Sequence, residues 1–554
     1  MKLHSKLLFI IFSLCGQHLF AQGNPFVRNI YTADPSARVW EDGRLYVYPS
    51  HDIDPPRGCD LMDKYHVFST DDMVNWIDHG QIVEAADVPW AQPLADGGKF
   101  MWAPDCAYKN GKYYFYFPHP DKDPWNSNWK IGIAVSDHPA SGFQVLDKPL
   151  SGLPDNGHID PCVFIDDDGQ AYFYYGGGNQ CFGGKLKENM IELDGELQAM
   201  TGLYDFHEAT WVFKRDGLYY LTYADNKGGA NQLRYATSTS PLGPWSHKGV
   251  YLTSTTSDTS HGSVVEYKGQ WWAFYHTADL SGTGLLRSIC VDSLFFNEDG
   301  TIQPVQQTRD QGTSYQNIIR TAPGKIEAED FNDGGKGIAY WDNTKGNGPS
   351  EYRRNEDVDI SRYRPRDMYY VTDMSLGEYL NYTFEVLETG IYSIDFSIGT
   401  IQPGQSQKFY LEFDNTKTSN PRRYDVLYGP LSGLGVVTVQ DITLSKGKHT
   451  MRFVPQGDMN FDNFIFYNTA TSTETTVFSS LNIFPIPSVD GLFQLQGCEM
   501  KALVIVTDLF GRIVLRKMII SNNDTIDLTQ FGRGVYILSL QTGNEILTRK
   551  LIYR

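Results

Sequence analysis

A turn followed by a strand rich in Tyr and Trp recurs five times, and this repeat constrains the fold more than any other feature of the chain. Asp-Gly or Asn-Gly between apolar runs is a strong signal for a β-hairpin, because both turn residues tolerate a positive φ. The copies start 68, 58, 48 and 52 residues apart, which leaves room for about four strands in each. The five copies are Asp42–Tyr48, Asn110–Tyr116, Asp168–Tyr174, Asp216–Thr222 and Lys268–Phe274.

Five sheets of this size favour a radial arrangement, because blades around an axis protect most of their own edges. The composition agrees, since aromatic residues make up 14% of the chain and 52 residues are Gly. We therefore predict an all-β chain that opens with a five-bladed β-propeller. The resemblances of the later segments, given below, imply that a β-sandwich module and a small C-terminal β-sandwich follow it. Aromatic rings also suit carbohydrate binding, because sugar rings present flat C–H faces, although β-propensity alone favours such residues.

Each repeat also carries an ionisable residue upstream of its turn, at offsets of 8, 5, 8, 8 and 7 residues. A strand rises about 3.3 Å per residue, so these groups are expected at the strand end opposite the hairpin, facing the central channel. They are Asp34, Asp105, Asp160, Glu208 and His261. A single Asp in such a place commonly satisfies a turn, but five equivalent groups predict one shared pocket.

Carboxyl groups gathered in one pocket raise each other's pKa, and glycoside hydrolysis uses two carboxyls in different environments. We found no Gly-x-Ser-x-Gly elbow, no phosphate-binding glycine loop and no His-Glu-x-x-His motif in the sequence. The formal net charge of −19 argues against nucleic acid as a partner, since phosphate binding needs a positive face. The residues thus favour glycosidase chemistry.

The residues around these positions resemble glycoside hydrolase family 43, a family of five-bladed propellers acting on arabinose- and xylose-containing polysaccharides. The resemblance covers about residues 24–310, and we assign residues 22–310 to the propeller domain. It is carried by Thr32–Ser36, Trp102–Asp105, His158–Pro161, Phe206–Ala209, Ser260–Ser263 and Leu286–Ser288.

The resemblance implies a role for each matching residue. Asp34 would be the general base, Glu208 the general acid, and Asp160 the group that raises the pKa of the acid and orients it. The family inverts at the anomeric carbon, which implies that the carboxyls of Asp34 and Glu208 lie about 6.5–9.5 Å apart. His261 would lie on the propeller axis and bind calcium or another ion there, or contact substrate. The implied substrate contacts also include Arg287, Asp105, Trp102 and Trp125, with Trp129 beside Trp125 at the rim.

A second β-rich segment, residues 318–468, resembles a family 6 carbohydrate-binding module, which is a β-sandwich with a structural calcium ion. Alternating carboxylates at Glu327 and Glu329 would project to one side of a strand and, with Asp462, supply hard oxygen ligands. Tyr352 and Asn460 are the expected cleft residues. The stretch 431–437 contains no aromatic residue where these modules usually present one, so the chain departs from the usual binding cleft of the module at this place.

The two ends of the chain read as export signals. Residues 1–21 have a short positive region, an apolar run and a small residue at the cleavage position, as a signal peptide has. After a Ser/Thr-rich linker at 469–476, residues 477–554 resemble the C-terminal sorting domain of the type IX secretion system. We expect a secreted or cell-surface protein that engages the type IX machinery, and no later stretch reads as a transmembrane helix.

The expected activity is removal of α-L-arabinofuranosyl or β-xylosyl units from plant cell-wall hemicellulose of the arabinoxylan type. Four alternatives stay open: a β-xylosidase, an endo-arabinanase, a galactan-acting glycosidase, and a fructan-cleaving furanosidase that retains configuration. A fifth alternative is a carbohydrate-binding propeller without turnover. The carboxyl set argues against that last alternative, because binding alone needs no proton donor.

Overall fold

The computed structural model describes most of the chain. The described residues are 23–53, 61–91, 99–120, 129–153, 159–225, 231–348, 351–366, 368–400, 407–414, 423–428, 434–468, 481–496, 502–509, 512–519, 523–542 and 545–554. The predicted signal peptide and the 469–476 linker lie outside them. The chain forms two compact units. The first comprises Met1–Glu385, Asp395–Val437 and Gly447–Ile465, and the second comprises Val386–Ile394, Thr438–Lys446 and Phe466–Arg554.

Five antiparallel sheets follow one another along the first unit, each a meander of neighbouring strands. The first has β1 (Thr32–Val39), β2 (Leu45–His51), β3 (Lys64–Thr70) and β4 (Trp76–Glu84). The second has β5 (Asp105–Lys109), β6 (Lys112–Pro120), β7 (Trp129–Ser136) and β8 (Gln144–Val145). The third has β9 (Cys162–Ile165), β10 (Ala171–Gly177), β11 (Gln180–Lys185) and β12 (Gln198–Ala199). The fourth has β13 (Phe206–Arg215), β14 (Leu218–Asp225), β15 (Leu233–Ser238) and β16 (Ser246–Leu252), and the fifth has β17 (Ser263–Tyr267), β18 (Gln270–Thr277) and β19 (Ser288–Leu294).

The sheets close into a ring through their first strands, since each first strand contacts the next and the fifth sheet returns to β1. The fifth sheet has three strands where the repeat predicts four. The chain start covers its open edge, because Phe26 N donates to Ile289 O at 3.2 Å and Val291 N donates to Asn24 Oδ1 at 2.9 Å. These contacts join the start of the domain to its end, so the five-bladed propeller is confirmed.

The five predicted turns all lie between the first two strands of a sheet. Three of them are two-residue turns with both residues at positive φ, as at Asn110 (52°) and Gly111 (79°). The turns at Asp42 and Asp168 are longer, since β1 ends at Val39 and β9 at Ile165. Every hairpin turn therefore lies at one end of its sheet. The ionisable residues, 5 to 8 residues upstream of each turn, are expected at the other end.

A β-sandwich follows the propeller, and its two sheets are built from β20 to β31. One sheet has the order β20-β25-β30-β27-β28 with β22 on β25, and the other has β23-β24-β31-β26-β29 with β21 on β31. Phe396, Phe409, Phe453 and Phe461 pack between them, with ring centroids 4.3 Å apart for the last two. The strands are β20 (Arg320–Ala322), β21 (Gly324–Glu327), β22 (Tyr340–Trp341), β23 (Ile360–Tyr363), β24 (Met368–Met374), β25 (Tyr379–Val386), β26 (Gly390–Thr400), β27 (Gln407–Phe413), β28 (Arg423–Tyr428), β29 (Gly435–Leu444), β30 (Gly447–Pro455) and β31 (Met459–Asn468).

The C-terminal strands form two further sheets, of order β32-β33-β36 and β35-β34-β37-β38. Phe493 from the first sheet and Val504 and Leu538 from the second share one buried core, so this part is a small sandwich, as predicted. Its strands are β32 (Asn482–Phe484), β33 (Leu492–Gln496), β34 (Ala502–Asp508), β35 (Ile513–Ile519), β36 (Asn523–Asp527), β37 (Gly534–Thr542) and β38 (Glu545–Tyr553).

Four single turns of 3-10 helix lie wholly within the described residues, and no α-helix is found in them. They are Ala85–Asp87, Tyr315–Asn317, Ala328–Asp330 and Arg364–Arg366. Within the part of the chain that the structure describes, no helix has the length and apolar character that crossing a membrane requires.

Candidate active site

Asp34 lies on β1 at a point where the strand is interrupted by a bulge. The pairing of β1 with β2 shifts between Ala33 and Ser36, and Asp34 has a φ of 51°. A bulge bends the strand and redirects one side chain. Ser50, on the paired strand, donates a hydrogen bond to Asp34 Oδ2. The bulge and this hydrogen bond together fix the direction of the carboxyl.

Arg287 holds Asp34 from the other side. Its Nη1 donates to Asp34 Oδ1 at 3.0 Å, while Nε and Nη2 each donate to the carboxylate of Asp52 at 2.9 Å. All three side chains are almost fully buried. Burial opposes ionisation of Asp34, but the Arg287 guanidinium, the charges that His261 and His276 carry in acid, and the Ser50 hydrogen bond outweigh it and lower the pKa of Asp34 to about 2. Asp34 is therefore a carboxylate at any physiological pH.

Two histidines complete the environment of Asp34. His276 Nδ1 accepts a hydrogen bond from the Asp34 backbone N–H at 3.1 Å, and its Nε2 faces Thr259 O at 2.9 Å. His261 Nδ1 lies 3.9 Å from Asp34 Oδ1 and 3.8 Å from Asp160 Oδ2. Burial lowers the pKa of His261 to about 4 and that of His276 to about 3. Both rings are therefore neutral and add no positive charge to the site near pH 7.

Asp160 and Glu208 come from neighbouring sheets and meet through the backbone of Ala209. Ala209 has a φ of 65°, and the pairing of β13 with β14 shifts on both sides of Glu208. This irregular backbone directs the Ala209 N–H to Asp160 Oδ2 at 2.6 Å. It also leaves the Glu208 side chain 22% exposed, whereas that of Asp160 is 6% exposed. Glu208 is thus the member of the pair that solvent and ligands reach.

Burial raises the pKa of both carboxyls of this pair, and their mutual repulsion adds to the effect at Asp160. The negative charge of Asp34 further raises the pKa of each. The Ala209 N–H favours the ionised form of Asp160. One pocket therefore holds an ionised carboxylate and a carboxyl pair that retains a proton, which is the charge pattern that acid- and base-assisted hydrolysis of an acetal requires.

Asp105 lies outside this pocket, contrary to the expectation of a substrate contact. The residue is fully buried, and its oxygens accept hydrogen bonds from Ser36 Oγ at 2.6 Å, Arg38 Nη2 at 2.6 Å and Val163 N at 2.7 Å. Its offset from the turn is 5 residues rather than 7 or 8, which places it deeper between the blades. Asp105 joins three sheets and has no oxygen left for a sugar.

The tryptophans expected near the pocket differ in accessibility. Trp102 is partly exposed and packs against Trp129, with ring centroids 4.2 Å apart. Trp129 itself is only 4% exposed, so it supports Trp102 and does not form the rim. Trp125 lies outside the described residues, as does His158 of the His158–Pro161 motif.

Sequence reasoning missed four residues that position Asp34 and Arg287: Ser50, Asp52, Thr259 and His276. A signal for two of them was present, because Ser50 and His276 lie eight residues after the turn residues Asp42 and Lys268. This is the same offset, counted downstream, that places Asp34 upstream of Asp42. The second strand of a hairpin returns to the end where the first began, so both strands of blades one and five carry residues of the site.

In the sandwich, the three carboxyls expected to bind calcium lie near one another, but not on one strand. β21 ends at Glu327, and Glu329 lies in the following 3-10 helix, because the chain turns away from the sheet there. Glu329 Oε2 and Asp462 Oδ1 are buried without a hydrogen-bond partner among the described residues. Burial, with the charges of Glu327, Asp330 and Asp462, raises the pKa of Glu329 to about 9.

These features fit a bound cation, since unpartnered buried carboxylate oxygens are the ligands that calcium prefers. Burial and Glu327 also raise the pKa of Asp462. However, Glu327 already pairs with Lys325 Nζ at 2.8 Å. In the described part of the chain, no group of three or more His, Cys, Asp or Glu side chains has the spacing of a metal centre, at His261 or in the sandwich.

The two predicted cleft residues of the sandwich both contact β24. The Tyr352 ring packs on Tyr369 at 4.9 Å, and Tyr352 OH donates to Asp330. Asn460 Oδ1 accepts a hydrogen bond from Thr372 Oγ1 at 3.0 Å. Both side chains are partly exposed. The aromatic-free stretch at 431–437 is described only from Leu434 onward.

Comparison with known proteins agrees with this chemistry. Residues 22–302 match the family described as glycosyl hydrolases family 43. Xylosidase/arabinosidase 43A of Humicola insolens is 36% identical over 335 residues, which is 50% of this chain and 98% of the relative. A xylosidase/arabinosidase of Bacteroides ovatus is 35% identical over 327 residues, which is 50% of this chain and 95% of the relative.

Among solved structures, one similar chain is CoXyl43, a family 43 β-xylosidase/α-arabinofuranosidase from a compost microbial metagenome. It was crystallised with xylotriose in a calcium-free form. It is 34% identical, covers 51% of this chain and 96% of its own, and has a TM-score of 0.46.

The C-terminal end matches a second family. Residues 482–554 match the secretion system C-terminal sorting domain, as the resemblance to the type IX domain predicted. The protein is therefore exported to the cell surface or the medium. The match over residues 22–302 spans just over half of the chain, and its relatives are aligned over nearly their whole length. The chain belongs to glycosyl hydrolases family 43.

Proposed function

We propose that the propeller is an inverting glycosidase that removes α-L-arabinofuranosyl or β-xylosyl units from plant cell-wall polysaccharide of the arabinoxylan type. The observation that carries the proposal is the charge asymmetry of the pocket. Asp34 has a pKa of about 2, while burial raises the pKa of Asp160 and Glu208. The names of the two relatives, both xylosidase/arabinosidase, favour a terminal pentose as the group removed.

In this proposal Asp34 accepts a proton from the attacking water, and Glu208 donates one to the departing glycosidic oxygen. Arg287 keeps Asp34 ionised and fixes its orientation through the hydrogen bonds described above. Asp160 maintains the raised pKa of Glu208 by charge repulsion and does not contact the sugar. We assign Trp102 and His261 to the walls of the pocket, where each is partly exposed.

Product analysis tests this function directly. The exported chain is incubated with arabinoxylan, and the Glu208→Gln variant is run beside it. Free arabinose or xylose from the parent alone supports the proposal, and arabino-oligosaccharides alone would instead indicate endo-arabinanase activity. Proton NMR of the first product should show the inverted anomer, since the water-activating geometry separates the carboxyls by about 6.5–9.5 Å. A retained anomer would contradict the assignment of Asp34 as base.

Asp160→Asn is expected to move the alkaline limb of kcat/KM to lower pH by about one unit. The substitution removes the negative charge that holds the proton on Glu208, so the acid loses its proton earlier as pH rises. Asn has the same shape as Asp, and its amide oxygen can still accept the hydrogen bond from the Ala209 N–H. The measurement is a pH profile of kcat/KM on a soluble pentoside with a poor leaving group, whose departure needs the proton of Glu208.

Asp167→Asn is the matched control for this profile, because the Asp167 side chain is 86% exposed and lies in the turn between β9 and β10, at the hairpin end of the third sheet. The alkaline limb of the kcat/KM profile of Asp167→Asn should coincide with that of the parent. An unchanged alkaline limb in Asp160→Asn would show that Asp160 does not tune the acid.

For the remainder of the chain we propose residues 318–468 as a carbohydrate-binding module of the family 6 type, with a calcium ion held by Glu329, Asp462 and Glu327. The ion would neutralise three neighbouring carboxyls and hold the 328–330 turn against β31. The linker at 469–476 and the sorting domain at 477–554 then complete the domain order proposed from the sequence.

Removing calcium is expected to lower the melting temperature of the sandwich, because an ion bound only by the folded state stabilises it by about 2.7 kcal/mol at one hundred times its Kd. Without the ion, folding raises the pKa of Glu329 from 4.5 to about 9. Folded protein then retains a proton that unfolded protein loses, so metal-free stability should fall as pH rises from about 4.5 to 9. Calorimetry with and without a chelator checks both effects.

Glu329→Gln supplies the control for the calcium experiment, since it keeps the side-chain shape and removes the charge. Its melting temperature should not respond to the chelator, and it should depend less on pH in that range than the melting temperature of the metal-free parent. A parent transition that is insensitive to chelation would remove the calcium site from the proposal.

A further inference from the structure

The propeller has a second opening at the end of the axis opposite the candidate active site. A cavity of about 460 Å³ lies there, and the first strands of all five sheets, β1, β5, β9, β13 and β17, contribute to its walls. We call it the axial cavity. Its walls include Trp40, Glu41, Tyr108, Phe164, Glu266 and Trp271.

A buried charged layer separates the axial cavity from the active site. The Arg38 guanidinium lies 4.0 Å from the centre of the Trp211 ring, donates to Asp105 at 2.6 Å and donates to Val163 O at 3.0 Å. Trp40 and Glu41 follow Asp34 by six and seven residues. At about 3.3 Å per residue, the rim of the axial cavity at these two residues lies about 20 Å along β1 from Asp34, and the Arg38 layer lies between, so one sugar unit cannot occupy both sites.

The walls combine aromatic rings with carboxylates. Trp40, Tyr108, Phe164 and Trp271 are all partly exposed, while Glu41 and Glu266 are exposed. Partly exposed rings in a concave site bind apolar faces, such as the C–H faces of a sugar. Carboxylates at the same site accept hydrogen bonds from hydroxyl groups.

The charge balance of the cavity disfavours an anionic ligand. Among the described residues of its walls, the two cations are already paired, Arg38 with Asp105 and Lys214 with Asp166 and Asp167 at 2.6 and 2.8 Å. Glu41 and Glu266 therefore leave the opening negative. A neutral polyhydroxy ring meets these conditions, because it offers hydroxyl donors and an apolar face and carries no charge to repel.

We propose that the axial cavity is a second carbohydrate-binding site, which binds a neutral sugar unit of the polysaccharide chain on which the enzyme acts. The choice of polysaccharide rests on the function proposed above, whereas the site itself rests on the axial cavity alone. Binding there would hold the enzyme on the polymer through a face that performs no chemistry.

Val265→Trp tests the site by filling it, since Val265 is a partly exposed residue of its wall. In a Glu208→Gln background, the association constant for soluble arabinoxylan should fall about five- to ten-fold, as expected for losing one stacked sugar. Ile77→Trp is the matched control, because Ile77 is 46% exposed on the outer strand β4. It adds the same side chain away from the axial cavity and should leave binding unchanged.

With Glu208 intact, kcat/KM of Val265→Trp on an aryl pentoside should equal that of the parent. If the parent itself has no activity on the aryl pentoside, that result refutes the proposed function and leaves the axial cavity proposal standing. Equal arabinoxylan affinity in Val265→Trp and Ile77→Trp would overturn the proposal.

A double variant, Glu41→Gln with Glu266→Gln, gives an independent measurement in case the larger side chain disturbs folding. Both residues are exposed, so the fold should persist, and weaker arabinoxylan binding is expected from the loss of charged acceptors. Crystals of Glu208→Gln soaked in xylotetraose should show sugar density in the axial cavity. Density confined to the active site, with unchanged affinity in the double variant, would overturn the proposal.

Discussion

Glu208→Gln is expected to lower kcat/KM on arabinoxylan by about 10²–10⁴-fold, the usual contribution of a general acid. The amide keeps the shape of the side chain and its place in the bulge of β13, but it has no proton to give to the glycosidic oxygen. Because that oxygen belongs to another sugar and is a poor leaving group, the reaction depends on the proton. Initial rates on polysaccharide measure the loss.

An aryl pentoside with a strongly activated leaving group is the internal control for this variant. Such a phenolate departs without protonation, so Glu208→Gln should retain much more of the parent activity on it than on arabinoxylan. An equal loss on both substrates would indicate that the substitution damages the pocket. Near-normal turnover of polysaccharide would refute the acid role. Glu192→Gln, at a partly exposed residue whose carboxylate pairs with Lys187, should behave as the parent throughout.

Asp34→Asn is expected to cause a loss of similar or larger size on every substrate, activated ones included. The amide cannot take the proton of the attacking water, and leaving-group chemistry does not replace a missing base. The neighbourhood is held in place, since Arg287 can still donate to the amide oxygen and the amide N–H can donate to Ser50 Oγ, at the two positions where Asp34 now accepts. Rates on arabinoxylan and on the activated aryl pentoside, measured side by side, test the prediction.

Asp52→Asn is the comparison that separates chemistry from positioning. Asp52 holds Arg287 through two hydrogen bonds of 2.9 Å and does not contact Asp34. Its amide variant should retain at least about ten-fold more activity than Asp34→Asn, since the base itself remains ionised. Rescue of Asp34→Asn by the activated leaving group, or equal losses in the two variants, would overturn the assignment of Asp34.

The pocket achieves its charge asymmetry with neutral histidines and one cation. His261 lies within 4 Å of both Asp34 and Asp160, yet burial keeps it uncharged. The single guanidinium of Arg287 bonds to Asp34 and Asp52, and not to the Asp160–Glu208 pair. Glu208 and Asp160 receive little of its stabilisation, which leaves their pKa values high.

Short-range patterns in the sequence determined a large part of the fold of this protein. Each turn and its aromatic strand are short-range features, and the eight-residue offset places Asp34, Asp160 and Glu208 at one end of their blades by strand geometry alone. The same geometry explains the failure at Asp105, whose shorter offset buries it between sheets. At the sandwich carboxyls the predicted local structure was wrong but the predicted proximity was right. A 3-10 turn replaces the predicted strand after Glu327 and still brings Glu329 near Asp462.

Only the tertiary structure decided which residues surround each carboxyl. Asp52 and Arg287 are 235 residues apart in the chain, and Asp160 meets Ala209 across two sheets, so no local pattern records these contacts. The pKa of a carboxyl depends on burial and on charges within a few ångströms, and both arise when the ring closes. The sequence by itself therefore determined the blades and the candidate acid and base, whereas ring closure decided their protonation and formed the axial cavity at the opposite end.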